Sequence, residues 1–210
     1  MMFSNNFIPD FSQSLPKEFF LQKTEKVAKE LLGKVIVKKI DNKIILAGKI
    51  VETEAYLSKN DLASHSAPGK TKRNAAMFSV GGILYVYKIY GIHHCINIVT
   101  EPESIGSAVL IRAIEPLLGI DTMKELRGND NIYNLCSGPA KLAQAFDFKI
   151  KDNSSSLLTP KLFIQRYENI PQNLIVTSRR VGIVKSFELP LRFFINDSKF
   201  LSVKNNSKYL

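Results

Sequence analysis

With 210 residues, 45% of them hydrophobic, and no apolar run approaching a bilayer span, the chain reads as one globular domain rather than a membrane bundle. A formal charge of +10 and a pI near 9.5 point to a polyanionic partner, nucleic acid first among them. Cys95 and Cys136 are too few for a disulfide framework and read as small buried residues; the first sixteen residues lack the basic-then-apolar order of a secretion signal, so a reducing cytoplasmic setting is expected.

Residues 1–16 are polar with scattered phenylalanines, and a flexible N-terminal arm is expected there, ahead of a single domain over 17–210. Thr24, then Val27, Ala28, Leu31 and Leu32, then Gly33, spells a short amphipathic helix capped by Thr24 and stopped by glycine. Apolar runs over 34–40 and 44–53 flank Asp41-Asn-Lys43 and predict a hairpin. Residues 57–74 turn polar and basic, and a loop of that length inside a domain is functional or disordered. Strands are predicted over 83–90, 95–99 and 108–114, helices over 120–127 and 137–146, and a polar loop over 147–156. Later strands are predicted over 162–165, 174–177 and 191–195. This order implies an α+β fold: a single domain on a curved, largely antiparallel sheet with helices packed around it.

The residues that could carry chemistry begin with Val51-Glu-Thr-Glu-Ala-Tyr56. Glu52 and Glu54 stand at spacing two on a strand, with Tyr56 on the same side. Such a group is costly to bury without a purpose, and a solvated strand end is the plain alternative. One carboxylate could act as a base, its pKa raised by the other or lowered by an arginine. Arg112, inside the apolar strand Val109-Leu-Ile-Arg-Ala-Ile114, calls for a carboxylate partner, Glu54 or Glu115, in a structural pair if nothing more. Tyr85 and Tyr87 share one side of their strand, as ordinary core residues also would. Tyr90 precedes Gly91, and a ring projecting from such a turn beside basic residues is what a wedge between bases requires. His93 and His94 are adjacent and diverge, and neither cysteine stands at a zinc-ligand spacing, so no metal site is expected. Cys136-Ser-Gly-Pro-Ala-Lys141 opens a helix with Ser137 as its cap; its free N–H groups and Lys141 could hold a phosphate, or the motif is a cap alone.

Taken in order, these segments resemble the alkyladenine (3-methyladenine) DNA glycosylase family, the mammalian-type monofunctional enzymes. The landmarks run from Ala28-Lys-Glu-Leu-Leu-Gly33 to Val203. They include Ile50-Val-Glu-Thr-Glu-Ala-Tyr56, Ala63-Ser-His-Ser66, Arg73-Asn74, Met77-Phe78 and Leu84-Tyr-Val-Tyr87. Tyr90-Gly91, Cys95-Ile-Asn97, Leu110-Ile-Arg-Ala-Ile-Glu-Pro116, Cys136-Ser-Gly-Pro139 and Arg180-Val-Gly182 complete the series. No single motif decides the matter; their order and combined length do.

The resemblance implies a role for each matched position. Glu54 is the general base that deprotonates the attacking water, and Arg112 with the main-chain carbonyl of Val181 holds that water. Tyr56, His65 and Tyr87 sandwich the flipped base, Asn97 sits at the pocket edge against the guanine amino group, and Tyr90 fills the vacated stack. Lys70, Arg73, Ser137 and Lys141 are expected at the DNA backbone. The reaction so implied is hydrolysis of an N-glycosidic bond to an alkylated or deaminated purine, with no metal, no cofactor and no lysine Schiff base. The implied partner is double-stranded DNA carrying damaged purines, met in the cytoplasm at the nucleoid by a monomer with no membrane contact. The loop after His65 is one residue shorter than in mammalian members, the segment 100–106 is longer, and His94 replaces a usual aromatic. These departures bear on lesion range and DNA contacts. A catalytically inactive nucleic-acid-binding domain of the same fold is the alternative, and a phosphodiesterase would need a metal cluster.

Overall fold

Two twelve-residue strands rich in isoleucine, valine and alanine pair along most of their length and form the spine of the molecule. The structure is a computed structural model that describes residues 7–203. Its strands are β1 (Val35–Lys39), β2 (Ile45–Tyr56), β3 (Leu84–Ile89), β4 (His93–Thr100), β5 (Ser107–Leu118), β6 (Leu158–Thr159), β7 (Leu162–Gln165), β8 (Ile175–Ser178) and β9 (Arg192–Ile195). Its helices are α1 (Lys17–Phe20), α2 (Thr24–Glu30), α3 (Ile120–Arg127), α4 (Ile132–Leu135) and α5 (Pro139–Ala145). The strands form one curled sheet in the order β3-β4-β5-β2-β1-β7-β6, with β9 joining β2 to β8. Every paired strand runs antiparallel to its neighbour, as the α+β reading requires.

β2 changes neighbour partway along one edge. Residues 45–49 pair with β1 and residues 52–54 with β9, while β5 follows the other edge. At the changeover the register slips: Ile50 faces Ile114, Glu52 faces Ala113 and Thr53 faces Ile111. Val51 and Arg112 are thereby left without register partners in this ladder, and bulges of this kind bend strands and re-aim side chains. β5 also runs to Leu118, beyond the expected 114. Pro116 is tolerated because it faces Gly48 at another register shift, where the backbones lie so close that a Cβ on Gly48 would stand 2.3 Å from the Ile114 side chain.

One face of the sheet packs against α2 and α5, burying Val27, Ala28, Leu142 and Ala143 with Ile50, Val109, Ile111 and Ile114. The opposite face is covered in patches: by Phe7 over Val35, Val37, Ala47 and Phe163, and by Phe200 over Val51 and Ala113. Coverage on both sides explains why the strands read as apolar runs rather than strict alternations.

The N-terminal arm is docked from residue 7 onward; residues 1–6 of the flexible segment expected over 1–16 lie outside the described residues. Phe7 packs edge-on to Tyr167 at 5.6 Å and Phe11 to Phe163 at 5.3 Å, while Leu15 N–H bonds to the Ile164 carbonyl at 2.8 Å. Burying one such ring is worth roughly 1.5–3 kcal/mol, enough to offset the ordering of one or two residues. Thr24 does not cap its helix: it is the first helical residue, and its hydroxyl bonds Thr100 Oγ1 at 2.9 Å instead. Ser137 likewise does not cap α5; Gly138 holds that place with φ of 151° and no side-chain bond, followed by Pro139. α1 and α4, each four residues long, carry too little periodicity to be read from sequence.

Candidate active site

The β2 bulge brings two carboxylates and two arginines together where β2, β5 and β9 meet. Glu52 is fully buried, and its Oε1 accepts from Arg112 Nε at 2.9 Å, Arg192 Nε at 2.8 Å and Ser202 Oγ at 2.8 Å. Its Oε2 accepts from Ser202 N–H at 2.7 Å. Burial works to raise the Glu52 pKa, but Arg112, Arg192 and Ser202 outweigh it and hold the group below the usual carboxylate range. Glu115, weighed as a partner for Arg112, pairs with Lys49 at 2.9 Å, its register neighbour across the sheet.

Glu54 is the second fully buried carboxylate. Its Oε1 accepts the main-chain N–H of Val181 at 2.7 Å and lies 3.3 Å from Arg112 Nη1; its Oε2 accepts the Tyr56 hydroxyl at 2.9 Å. Arg112 thus bridges both acids. Burial opposes its charge, yet Glu54 and then Glu52 outweigh that and raise its pKa above the ordinary value. Burial, with Glu54 next, also lifts the Tyr56 phenol well above its usual range, keeping it a hydrogen-bond donor. The contact made by Val181 is through its amide, where the resemblance points to its carbonyl.

In front of Tyr56 opens a cavity of about 350 Å³. Its walls include Tyr56, His65, Tyr85, Tyr87, Asn97 and Ile183, with Arg73, Lys88 and Tyr90 also lining it. His65 and Tyr87 touch edge to face, ring centroids 4.6 Å apart, and His65 Nδ1 lies 3.0 Å from the Tyr85 hydroxyl. No base fits between His65 and Tyr87, so these rings form one wall and Tyr56 another. Burial, then Arg73, lowers the His65 pKa, leaving a neutral ring. Burial, then Cys95 behind it, raises that of Tyr87. Asn97 is buried beside them and donates from Nδ2 to the Tyr85 carbonyl at 3.2 Å.

The long polar loop is braced rather than loose. Asn74 donates to the carbonyls of His65 at 2.7 Å and Gly69 at 2.9 Å, closing the segment that presents His65. Tyr90 sits at the β3–β4 turn with φ of 52° and 86% exposure, followed by Gly91, so its ring projects into solvent at the cavity mouth. Ile92, 72% exposed, stands beside it.

Of the residues singled out in the sequence, Tyr56, His65, Tyr87, Asn97, Tyr90 and Arg73 gather around one cavity, with Glu54, Arg112 and Val181 behind Tyr56. Lys70 is exposed on the His65 loop, whereas Ser137 and Lys141 bond each other at 3.3 Å and do not line the cavity. Lys88 at the cavity was not anticipated. Nor were Arg192 and Ser202, or the buried pair Arg180–Asp61, bonded in bidentate fashion at 2.7 Å and 2.7 Å. Arg192 carried the signal used for Arg112, a guanidinium within an apolar strand; Ser202 and Asp61 carried none. Among the described residues, no group of three or more His, Cys, Asp or Glu is placed to hold a metal ion, and no helix is long and apolar enough to cross a membrane. Both cysteines are buried and free; burial pushes the Cys136 thiol up to about 12.

Comparison with known proteins gives a consistent answer. The family described as methylpurine-DNA glycosylase (MPG) matches residues 18–199. A Chlorobium phaeobacteroides protein provisionally named a 3-methyladenine DNA glycosylase is 46% identical over 193 residues, 92% of this chain and 98% of its own. Proteins of the same provisional name from Francisella tularensis (48% identical; 87% of this chain, 95% of its own) and Methanoculleus marisnigri (45%; 90% and 98%) are similar to it too.

Proposed function

The chain belongs to the methylpurine-DNA glycosylase family, a DNA glycosylase acting on DNA, and we propose that it hydrolyses the N-glycosidic bond of alkylated or deaminated purines by a Glu54-activated water. A base inside a duplex is out of reach of any side chain, so the nucleotide must be extruded, at a cost of a few kcal/mol that is smallest for damaged pairs. Tyr90 at the mouth fills the gap in the stack, and the base enters the cavity between Tyr56 and the His65–Tyr87 wall. Alkylation at a ring nitrogen makes the base cationic, which favours tyrosine faces and weakens the bond to the sugar. Glu54 draws a proton from a water directed by Arg112; the water oxygen attacks the anomeric carbon, and the base departs with the bonding electrons. An abasic site remains.

One observation carries this reading: a fully buried carboxylate with Val181 N–H and Tyr56 as its donors and Arg112 paired with it at 3.3 Å, directly behind a ring-lined cavity. A carboxylate so placed is where a general base would be needed. Lys70 and Arg73, and Lys141 with Ser137, are proposed phosphate contacts. The enzyme is proposed to act as a monomer in the cytoplasm, without lyase activity.

The test is a duplex with one hypoxanthine or one methylated adenine, incubated in chelator and then treated with alkali. Wild type is expected to yield an alkali-labile site, and Glu54→Gln to bind the same duplex without cutting the glycosidic bond. Lys88 makes the lyase question concrete: borohydride is expected to trap no enzyme–DNA adduct. If no damaged base is released, a binding module of the same fold replaces this reading.

A further inference from the structure

The pair Arg180–Asp61 lies outside the reacting groups yet touches three segments that build the cavity. Arg180 Nη1 donates to Asp61 Oδ2 at 2.7 Å and to the Ala55 carbonyl at 3.1 Å; Nη2 donates to Asp61 Oδ1 at 2.7 Å and to the Ser186 carbonyl at 3.3 Å. Asp61 also accepts the N–H groups of Leu57 at 3.0 Å and Ala63 at 3.1 Å. Both side chains are wholly buried. Arg180 Nε is buried without a hydrogen-bond partner, and the Cζ of the guanidinium stands 4.6 Å from the centroid of the Tyr56 ring. Tyr56 lines the cavity and Arg180 does not, so the guanidinium lies on the covered face of the ring.

We propose that the Arg180–Asp61 pair is a specificity-determining element: Asp61 cancels the guanidinium charge behind Tyr56, leaving the open face of the ring able to attract a cationic base. The inference rests on the assignment of this cavity to a flipped purine. An aromatic face attracts cations through its quadrupole, and a second, uncompensated cation on the far side opposes that attraction. With a stacked base in front, the two charges would stand roughly 8 Å apart across a low-dielectric ring, enough to alter binding by about tenfold. A neutral base would hardly register the change. The bidentate carboxylate is what makes a cation tolerable behind a cation-binding ring.

The experiment compares single-turnover release of N7-methylguanine, which is cationic, with release of hypoxanthine, which is neutral, from otherwise identical duplexes. Wild type, Asp61→Asn, Arg180→Gln and the double variant are used, each with its melting temperature measured. The cationic-to-neutral rate ratio is expected to fall about tenfold in Asp61→Asn, to rise in Arg180→Gln, and to return within about twofold of wild type in the double variant. A purely structural pair would slow both substrates together and leave the ratio unmoved in every variant, and that result overturns the proposal. Should Asp61→Asn fail to fold, the ratio in Arg180→Gln against the double variant decides the same question. If wild type releases neither base, the glycosylase reading itself fails and takes this proposal with it, a different outcome from an unmoved ratio.

Discussion

The main-chain N–H of Val181 lies 2.7 Å from Oε1 of Glu54, joining residues 127 positions apart. The contact brings the loop after β8 onto the end of β2 and fixes one oxygen of the carboxylate. Glu54→Asp shortens that side chain by one methylene, so the carboxylate no longer reaches the Val181 amide and the Tyr56 hydroxyl together. Single-turnover release should fall by about 10²-fold while affinity for the damaged duplex is retained, general-base contributions being of that order or larger. A Glu54→Asp variant as fast as wild type would remove Glu54 from the reaction.

Glu52 is expected to behave as a structural keystone. Glu52→Gln removes the buried carboxylate that Arg112 and Arg192 share, leaving Arg112 paired with Glu54 alone, which costs about 3–5 kcal/mol by analogy with other broken buried pairs. Chemical denaturation at neutral pH measures this directly, and a loss below about 1 kcal/mol would show that the network contributes little.

Acid titration draws chiefly on two depressed groups at the site, His65 and Glu52, with His94, itself lowered by burial, adding to the first. The native state holds His65, lowered by burial and then by Arg73, in its neutral form, while the unfolded chain takes up a proton below the ordinary 6.5. The native state binds fewer protons there, so this contribution is present above 6.5 and lost as pH falls toward the native value. Glu52, held below 4.5 by Arg112, Arg192 and Ser202 against the opposing effect of burial, adds a second loss beginning near 4.5. Melting temperature should therefore decline in two stages on acidification. A His65→Gln variant should shrink the first stage and Glu52→Gln the second.

Tyr90 is 86% exposed, and Tyr90→Ala should leave stability within about 0.5 kcal/mol of wild type. Release from duplex DNA should nonetheless drop, while release from a single strand, which has no stack to fill, should drop far less. Equal losses on both substrates would argue against a wedge.

The charge of +10 makes affinity for DNA salt-dependent. If Arg73 and Lys70 each neutralise a phosphate, replacing either with Gln should reduce the slope of log affinity against log salt by about 1, with similar weakening on every duplex sequence. An unchanged slope would place both residues away from the backbone.

Much of this molecule was legible in one dimension because its signals are local. The apolar runs place β1 to β5 and β7 to β9 within a few residues, and the acid pair at 52 and 54 with Tyr56 marks the strand on which the carboxylates stand. Gly91 after Tyr90 announces a turn that exposes a ring, and the exposure is observed. The docking of the arm from residue 7 onward was not legible because the polar residues around it hide Phe7, a ring whose burial against Val35, Val37, Ala47 and Phe163 only a sheet face can reward.

What the chain alone could not specify is which distant groups meet. A period-two pattern assigns Arg112 to a side of its strand, but the paired register shifts at Val51 and Arg112 decide that it reaches Glu52 and Glu54 while Glu115 goes to Lys49. Asp61 and Arg180, 119 residues apart, become one neutralised pair only once β8 and the β2 end close around Tyr56. Backbone propensity and burial act on neighbours in sequence, whereas a charge or a phenol is satisfied by whatever the folded chain brings within about 3 Å, and that is a property of tertiary packing alone.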